Sequence, residues 1–349
     1  MIALVDRHRR GVIILGSLLL LIVIIIFSIT VGPAGLTFRE AFELIMAKIP
    51  GLKSLVDVSQ YPVTHQTIVY QVRMPRVVLA ALVGGALAAV GTTFQGLFKN
   101  PMADPYVIGV SSGAALGAAV AIVTGFSRIL GMWALPVAAF LGAILTVVLV
   151  YQIARVGNKL PVFNLLLAGV ALSSFMTAIM SFLMILHARE LAQIIYWTLG
   201  SFAGKDWSQV RIAAPVILLG TSALWFFARE LNAMLFGEET AQHLGIDAEK
   251  TKQIILVIAA ITVASGVAVS GTIGFVGLIV PHTVRLLTGP DHRFLMPCAV
   301  LAGAAFMVAT DTFARVALAP TEIPVGIITA MFGGPFFIYL LRKKKTSVF

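Results

Sequence analysis

The pentapeptide GVSSG at 109–113 is the stretch of this sequence that most resembles a catalytic motif. It matches G-x-S-x-G, in which a serine on a sharp strand-to-helix turn acts as the nucleophile of a hydrolase. The same letters match G-x-x-x-G, a spacing that lets two membrane helices touch backbone to backbone. Catalysis by Ser111 would need a preceding buried strand and a partner acid and histidine, so the surrounding elements decide between the two interpretations.

Other residue types that carry chemistry are sparse in this chain. The single cysteine, Cys298, lies in an apolar run, which excludes a disulfide within the chain and a cysteine metal site. No G-x-x-x-x-G-K-[ST] phosphate loop is present, so energy for uphill transport would have to come from another subunit. Six histidines show neither H-E-x-x-H nor a pair at ligand spacing on one helix, and no metal site is predicted. They occupy positions 8, 65, 187, 243, 282 and 292.

The composition indicates a polytopic α-helical membrane protein. Hydrophobic residues make up 59% of the 349 positions and charged residues only 11%, against roughly 25% charged in a typical soluble domain. The net charge of +10 would suggest a nucleic-acid partner for a soluble chain. In a membrane protein that charge is interpreted loop by loop as a topology signal, and no nucleic-acid partner is predicted.

Ten stretches are apolar enough to be membrane helices, since a helix needs about 20 such residues to cross. The stretch at 274–287 is too short to cross alone, and we expect it to begin inside the protein, after SGTIG. The first stretch follows three arginines but is longer than a signal-peptide core, which favours a retained helix. The predicted spans are 11–31, 77–98, 106–125, 132–153, 162–186, 210–228, 253–270, 274–287, 295–313 and 324–341.

The distribution of lysine and arginine predicts that both termini are cytoplasmic. With ten spans the termini share a side, and that side holds fifteen of the 25 basic residues. Residues 33–75 then form an outer segment containing an amphipathic surface helix, TFREAFELIMAKI, and 187–209 an outer interfacial helix. Residues 229–252 form the longest cytoplasmic loop, predicted as an amphipathic helical hairpin broken at Gly237 and Gly245. The whole chain, 1–349, is one transmembrane domain.

Within this topology the GVSSG motif falls at the start of a membrane helix. Gly109, Gly113 and Gly117 recur every four residues and line one helix face, which favours close helix packing over catalysis. The preceding turn, KNPMADPY, carries two prolines that interrupt the helix, and Asp104 is placed to cap the helix that follows.

Ionisable residues are absent from the middle of the predicted spans. Asp, Glu, Lys or Arg inside a bilayer is expensive and usually functional, as in proton relays. Their absence disfavours a proton-driven carrier strongly and a sodium-coupled carrier less, because backbone carbonyls alone can bind sodium. A secondary active transporter of a small solute therefore remains the alternative to an ATP-driven system.

Several long motifs in order resemble the membrane permease subunits of binding-protein-dependent ABC importers for iron chelates, haem and cobalamin. The resemblance covers nearly the whole chain and agrees with the ten-helix count. The motifs are RMPR at 73–76, GTTFQGLFKNPMADPYVIGVSSGAALGA at 91–118, NLLLAGVAL at 164–172, GEETAQHLGI at 237–246, SGTIGFVGLIVPHTVRLLTGPDHR at 270–293, DTFAR at 311–315 and EIPVGIITAMFGGPFFIYLL at 322–341.

This resemblance implies a type II ABC importer permease with no catalysis and no cofactor in this chain. Its partners would be a second copy of itself, two cytoplasmic ATPase subunits that bind ATP, an external substrate-binding protein and the lipid bilayer. The location would be the cytoplasmic (inner) membrane of a prokaryote. Iron-siderophore, haem and cobalamin all remain open as cargo.

The resemblance also assigns roles to individual residues. Arg73, Arg76 and Arg315 would be exposed outer cations that dock the acidic lobes of the binding protein. Coupling to the ATPase would fall on Gly237, Glu238, Glu239, Ala241, Leu244 and Gly245. The inner gate and pathway would include Asn100, Met102, Val162 and Phe163, although Val162 and Phe163 stand where the cobalamin relative has small polar residues.

Overall fold

The computed structural model describes residues 2–48 and 56–345, and within those ranges the chain folds into helices with no β-strand. The all-α prediction is confirmed. The helices are α1 (Ile2–Thr30), α2 (Phe38–Met46), α3 (Val63–Thr67), α4 (Met74–Leu97), α5 (Val110–Val123), α6 (Ser127–Leu130), α7 (Ala134–Ala154), α8 (Val162–Leu186), α9 (Leu191–Thr198), α10 (Trp207–Phe226), α11 (Ala228–Leu235), α12 (Glu238–His243), α13 (Ala248–Ser270), α14 (Val276–Thr288), α15 (His292–Val316) and α16 (Val325–Lys345).

The ten predicted spans all correspond to helices, with some shifted ends. Seven helical stretches of the described chain are long and apolar enough to cross a membrane. Shorter apolar stretches are α5, α14 and the part of α16 from Val325 to Tyr339. The third span begins at Val110 instead of 106, because the turn before it continues to Gly109. The seventh begins at Ala248 instead of 253, because Asp247 accepts a hydrogen bond from Lys250 N and caps the helix there.

The outer segment contains the predicted surface helix as α2. Thr37 and Glu40 form a capping box at its start, each side chain bonded to the backbone N–H of the other. Ala41 and Leu44 are buried, so the apolar face packs on the bundle. Part of the predicted segment 33–75, residues 49–55, lies outside the described residues, as do positions 1 and 346–349 of the predicted domain 1–349.

Helix α4 is the centre of the bundle, and its glycines allow other helices to touch its backbone. A Cβ on Gly303 of α15 would lie 2.5 Å from the Gly84 carbonyl oxygen. A Cβ on Gly91 would lie 2.6 Å from the carbonyl carbon of Gly277 on α14. Such distances leave no room for any side chain, so the helices meet as small-residue membrane interfaces do.

The chain between α13 and α14, residues 271–275, is irregular, as the sequence predicted for the start of the short span. Its backbone groups bond to protein: Ile273 O accepts from the Tyr106 hydroxyl at 3.0 Å, and Gly271 N donates to Val267 O at 2.8 Å. Irregular backbone at membrane depth requires such internal partners, because lipid offers none.

Candidate functional site

The GVSSG motif lies at the start of α5, in a turn-to-helix context without the strand that a nucleophile elbow needs. A Cβ on Gly113 would lie 2.5 Å from Gly142 O of α7 and still closer to the Thr146 hydroxyl. A Cβ on Gly117 would lie 2.9 Å from the Ala138 carbonyl carbon. The structure therefore places the glycine face of α5 directly against the backbone of α7.

The two serines of the motif are half-buried helix residues. Ser112 Oγ donates to Gly109 O at 3.0 Å and lies 3.1 Å from Ser173 Oγ on α8. A hydroxyl bonded to a carbonyl one turn back satisfies itself inside a membrane helix at little cost. Gly109 is in the left-handed region, with φ of 83°, where glycine is favoured.

The turn between α4 and α5, residues 99–109, is held by side chains and is here called the elbow. Asp104 Oδ1 accepts from Tyr106 N at 2.8 Å, so this carboxylate caps the elbow and not α5, which corrects the sequence prediction. Burial raises the pKa of Asp104 to about 6, although the bond from Tyr106 N lowers it. Tyr106 ties the elbow to Ile273, and the Pro105 ring fills the space beside Gly277.

The four predicted gate residues lie in two segments. Asn100 and Met102 are on the elbow, where Asn100 Oδ1 accepts from Met102 N at 3.0 Å. Val162 is the first residue of α8, and the side chain of Phe163 is 74% exposed. The elbow and α8 meet farther along the chain, where Gly169 packs against the backbone of Val107. The gate assignment itself stays a prediction.

The predicted hairpin is present as α11 and α12, with Gly237 between them at φ of 123° and Gly245 after them at φ of 82°. We call residues 228–245 the docking hairpin. Ala241 is fully buried and holds α12 on the bundle, so it offers no surface to a partner. Leu244 and Phe236 are 67% and 80% exposed, which makes them the apolar surface of this hairpin.

The first helix of the docking hairpin is anchored to the start of α15. Asn232 Nδ2 donates to Asp291 Oδ1 at 2.8 Å, and Asn232 Oδ1 accepts from His292 N at 2.9 Å. Arg10 of α1 also reaches Asp291, at 3.1 Å. The start of α1 and the docking hairpin therefore lie at the same end of the bundle, as the predicted topology requires.

The second helix is anchored through a buried lysine. Lys252 Nζ donates to Glu238 at 3.0 Å and to Glu249 at 2.7 Å, and its side chain is only 4% exposed. The other oxygen of Glu249 accepts from Leu160 N at 2.9 Å. Leu160 directly precedes Pro161, the residue before α8. This chain of contacts joins α12, α13 and the start of α8.

The three arginines predicted as exposed docking cations are buried, at 3%, 5% and 4% exposure for Arg73, Arg76 and Arg315. The prediction that these three side chains are exposed is therefore wrong. Arg76 forms a bidentate pair with Asp311, both bonds 2.9 Å, and a second pair with Glu322 at 2.8 Å. The reason is long-range pairing: a buried charge needs opposite charges and hydrogen bonds around it.

The other two arginines bond to the end of α1. Arg73 Nη1 donates to Ile29 O at 2.8 Å and to Thr30 O at 3.0 Å, and Arg315 Nη2 donates to Ser28 O at 2.5 Å. The cluster thus fixes α1 against α4 and α15 at the end opposite the docking hairpin. Docking of a binding protein at these residues stays a prediction.

Sequence reasoning missed three contributors to this site: Lys252, Glu249 and Phe236. Lys252 lies just outside the predicted span 253–270, at the end of the predicted loop 229–252. Its spacing of three from Glu249 was a visible signal, since residues at i and i+3 are neighbours on a helix. The contact of Lys252 with Glu238 and that of Glu249 with Leu160 form only in the tertiary fold, so no local pattern in the sequence indicates them.

Comparisons with known proteins place this architecture in a transport family. The model of the FecCD transport family matches residues 20–343. A cobalamin import system permease of Halobacterium salinarum is 48% identical over 284 residues, covering 81% of this chain and 76% of that protein. A hemin transport system permease of Yersinia pestis is 38% identical, covering 95% and 96%. A molybdate import permease of Haemophilus influenzae is 35% identical, with the same coverage.

The fold also matches a solved structure. A putative metal-chelate type ABC transporter in an inward-facing conformation superposes with a TM-score of 0.81 and 33% sequence identity. The match covers 95% of this chain and 99% of that chain.

Proposed function

Because the chain belongs to the FecCD transport family of ABC importer permeases, we propose that it moves a metal chelate into the cytoplasm. It is a multi-pass membrane transport subunit, and ATPase partners supply the energy. We further propose that the chain works as a homodimer on two ATPase subunits and receives its cargo from an external binding protein. We place it in the cytoplasmic membrane of a prokaryote.

The exposed apolar surface of the docking hairpin carries the proposal. Leu244 and Phe236 lie outside the membrane helices, and both side chains are exposed although they are apolar. Contiguous exposed apolar patches mark sites that bind proteins or membranes, and we assign these two side chains to an ATPase contact because ABC permeases work with ATPase partners. A hairpin anchored on both of its helices is a rigid contact, and a rigid contact is needed to transmit a nucleotide-driven change.

Co-purification tests ATPase binding. We expect Leu244→Ser to reduce the amount of ATPase retained by the purified chain, because it removes an apolar side chain from the contact. Ile129→Ser is the matched control, since Ile129 is 76% exposed on α6, outside the docking hairpin. Equal retention in both variants, or nucleotide-independent uptake by the chain alone, would show that the hairpin is not the coupling element.

Uptake into proteoliposomes tests the cargo class. The vesicles contain the chain, its ATPase and its binding protein, and the probes are cyanocobalamin, haemin, ferric citrate and molybdate. The relatives that import cobalamin and hemin support a chelate. We expect ATP-dependent uptake of at least one of the three chelates. Uptake of molybdate alone would contradict the chelate proposal while leaving the importer itself intact.

A further inference from the structure

Helix α8 has the smallest buried share of the candidate membrane spans in the described chain. Only Leu165, Ala168 and Gly169 of its 25 residues are buried. A helix with few buried contacts has low local stability and moves more readily than its neighbours. Its position at the cytoplasmic end therefore depends on the few strong bonds that hold its start.

Leu160 N donates to the Glu249 carboxylate at 2.9 Å, which ties the segment just before α8 to α13. Leu160 is 1% exposed, and Pro161 follows with its φ fixed at −63° by the ring. Only the backbone of Leu160 and Pro161 lies between this bond and Val162, the first residue of α8. A displacement of Glu249 therefore carries directly to the helix start.

Glu249 is itself held by Lys252, which also holds Glu238 on the docking hairpin. Bonds between charged groups are shorter and roughly twice as strong as neutral ones. The Lys252 side chain is 4% exposed, and its partners Glu249 and Glu238 are 24% and 44% exposed, so the bond to Glu249 is the better shielded from water. One ammonium thus fixes the relative positions of α12, α13 and the segment before α8.

We propose that Lys252 is a positioning residue that transmits displacement of the docking hairpin to the start of α8. The inference rests on the proposed function, in which an ATPase subunit moves this hairpin. Glu249 relays the displacement to Leu160, and Glu238 receives it from α12. The elbow lies against α8 at Gly169, so the same displacement reaches the predicted gate segments.

Hydrogen exchange measured by mass spectrometry on the chain–ATPase complex in nanodiscs tests this role. The two readouts are the peptide 228–245, which reports ATPase contact, and the peptide 156–165, which reports the start of α8. In the wild-type complex we expect ATPase to protect 228–245, and MgATP with vanadate to change exchange in 156–165. In Lys252→Met we expect retained protection of 228–245 and loss of the nucleotide-dependent difference in 156–165.

Lys250→Met is the matched control, because Lys250 is exposed two positions away on the same helix. It should behave as wild type, and Lys252→Arg should keep part of the difference by keeping the charge. A residue with a merely structural role would raise exchange of 156–165 in both nucleotide states and leave their difference intact; that result overturns the proposal.

A second variant tests the same role if Lys252→Met does not fold or assemble with the ATPase. Glu249→Gln keeps an acceptor for Leu160 N but removes the ion pair with Lys252, and it too should lose the difference. A preserved difference there would also overturn the proposal. Failure of the ATPase to protect 228–245 in the wild-type complex would instead contradict the proposed function, so the two failures are distinguishable.

Discussion

A single methyl group added at Gly113 should separate two membrane helices. The Cβ of alanine there would lie 2.5 Å from Gly142 O, against at least 3.4 Å for an ordinary contact, so it falls about 0.9 Å short. Thr146 can rotate away only by giving up its 2.9 Å bond to Gly142 O. The backbone oxygen cannot rotate, so α5 and α7 must move apart.

We expect Gly113→Ala to lower the free energy of unfolding by about 2 kcal/mol. Overpacking against a backbone atom costs up to about 3 kcal/mol, and the better helix propensity of alanine returns up to about 1 kcal/mol, which leaves about 2 kcal/mol. Such a loss shifts the folded-to-unfolded ratio by about thirtyfold. Unfolding by SDS titration in mixed micelles, followed by tryptophan fluorescence, measures it.

Gly266→Ala is the control, because its nearest neighbour, Val83 Cγ1, would lie at an ordinary 3.7 Å. This variant should be neutral or slightly more stable than wild type. If Gly113→Ala matches Gly266→Ala, the close approach of α5 and α7 is not what holds this part of the fold.

Three further changes follow from the described contacts. Arg76→Met should cost about 3 kcal/mol in the same SDS assay, because it leaves Asp311, 1% exposed, without its cation. Asp104→Asn should remove a pH dependence: the folded carboxyl keeps its proton up to about pH 6 and the unfolded one only to 3.8, so wild-type stability falls as pH rises between them. Ser111→Ala should leave both stability and uptake nearly unchanged, and a fluorophosphonate probe should not label the wild-type chain.

Each of these has an outcome that contradicts it. Arg39→Met removes an exposed pair with Glu43 and should cost much less than Arg76→Met. An equal cost for the two variants would mean that the buried pair contributes no more to stability than a surface pair. Melting temperatures of Asp104→Asn that parallel wild type from pH 4 to 7 would rule out the raised pKa. Covalent labelling of Ser111 would restore the hydrolase interpretation.

Local patterns in the sequence predicted the helices and the docking hairpin well. Apolar length identifies a membrane helix, and Gly237 and Gly245 interrupt one, whatever the rest of the chain does. The helix ends were predicted less accurately, because an aspartate such as Asp104 or Asp247 can cap either a turn or a helix. Only the tertiary fold decides between them.

The charged residues show where local reasoning fails. Arg76 was expected to be exposed, yet its partner Asp311 lies 235 positions away and Glu322 lies 246 away. No window along the chain contains both members of such a pair. The same limit hid the link from Glu238 through Lys252 and Glu249 to Leu160, which requires three segments to meet in space.

The glycine contacts of α4 bear on which parts of the transporter can move. Gly84 meets Gly303 of α15, and twelve residues farther along Gly96 meets His292 of the same helix, so these two contacts lie at levels about 18 Å apart. Two helices that touch at one level can tilt about that contact, but helices in contact at two levels resist tilting. We therefore expect α4 and α15 to remain a stationary frame during transport, with the change of access carried by α8, which packs on α5 and α7 and has few buried residues.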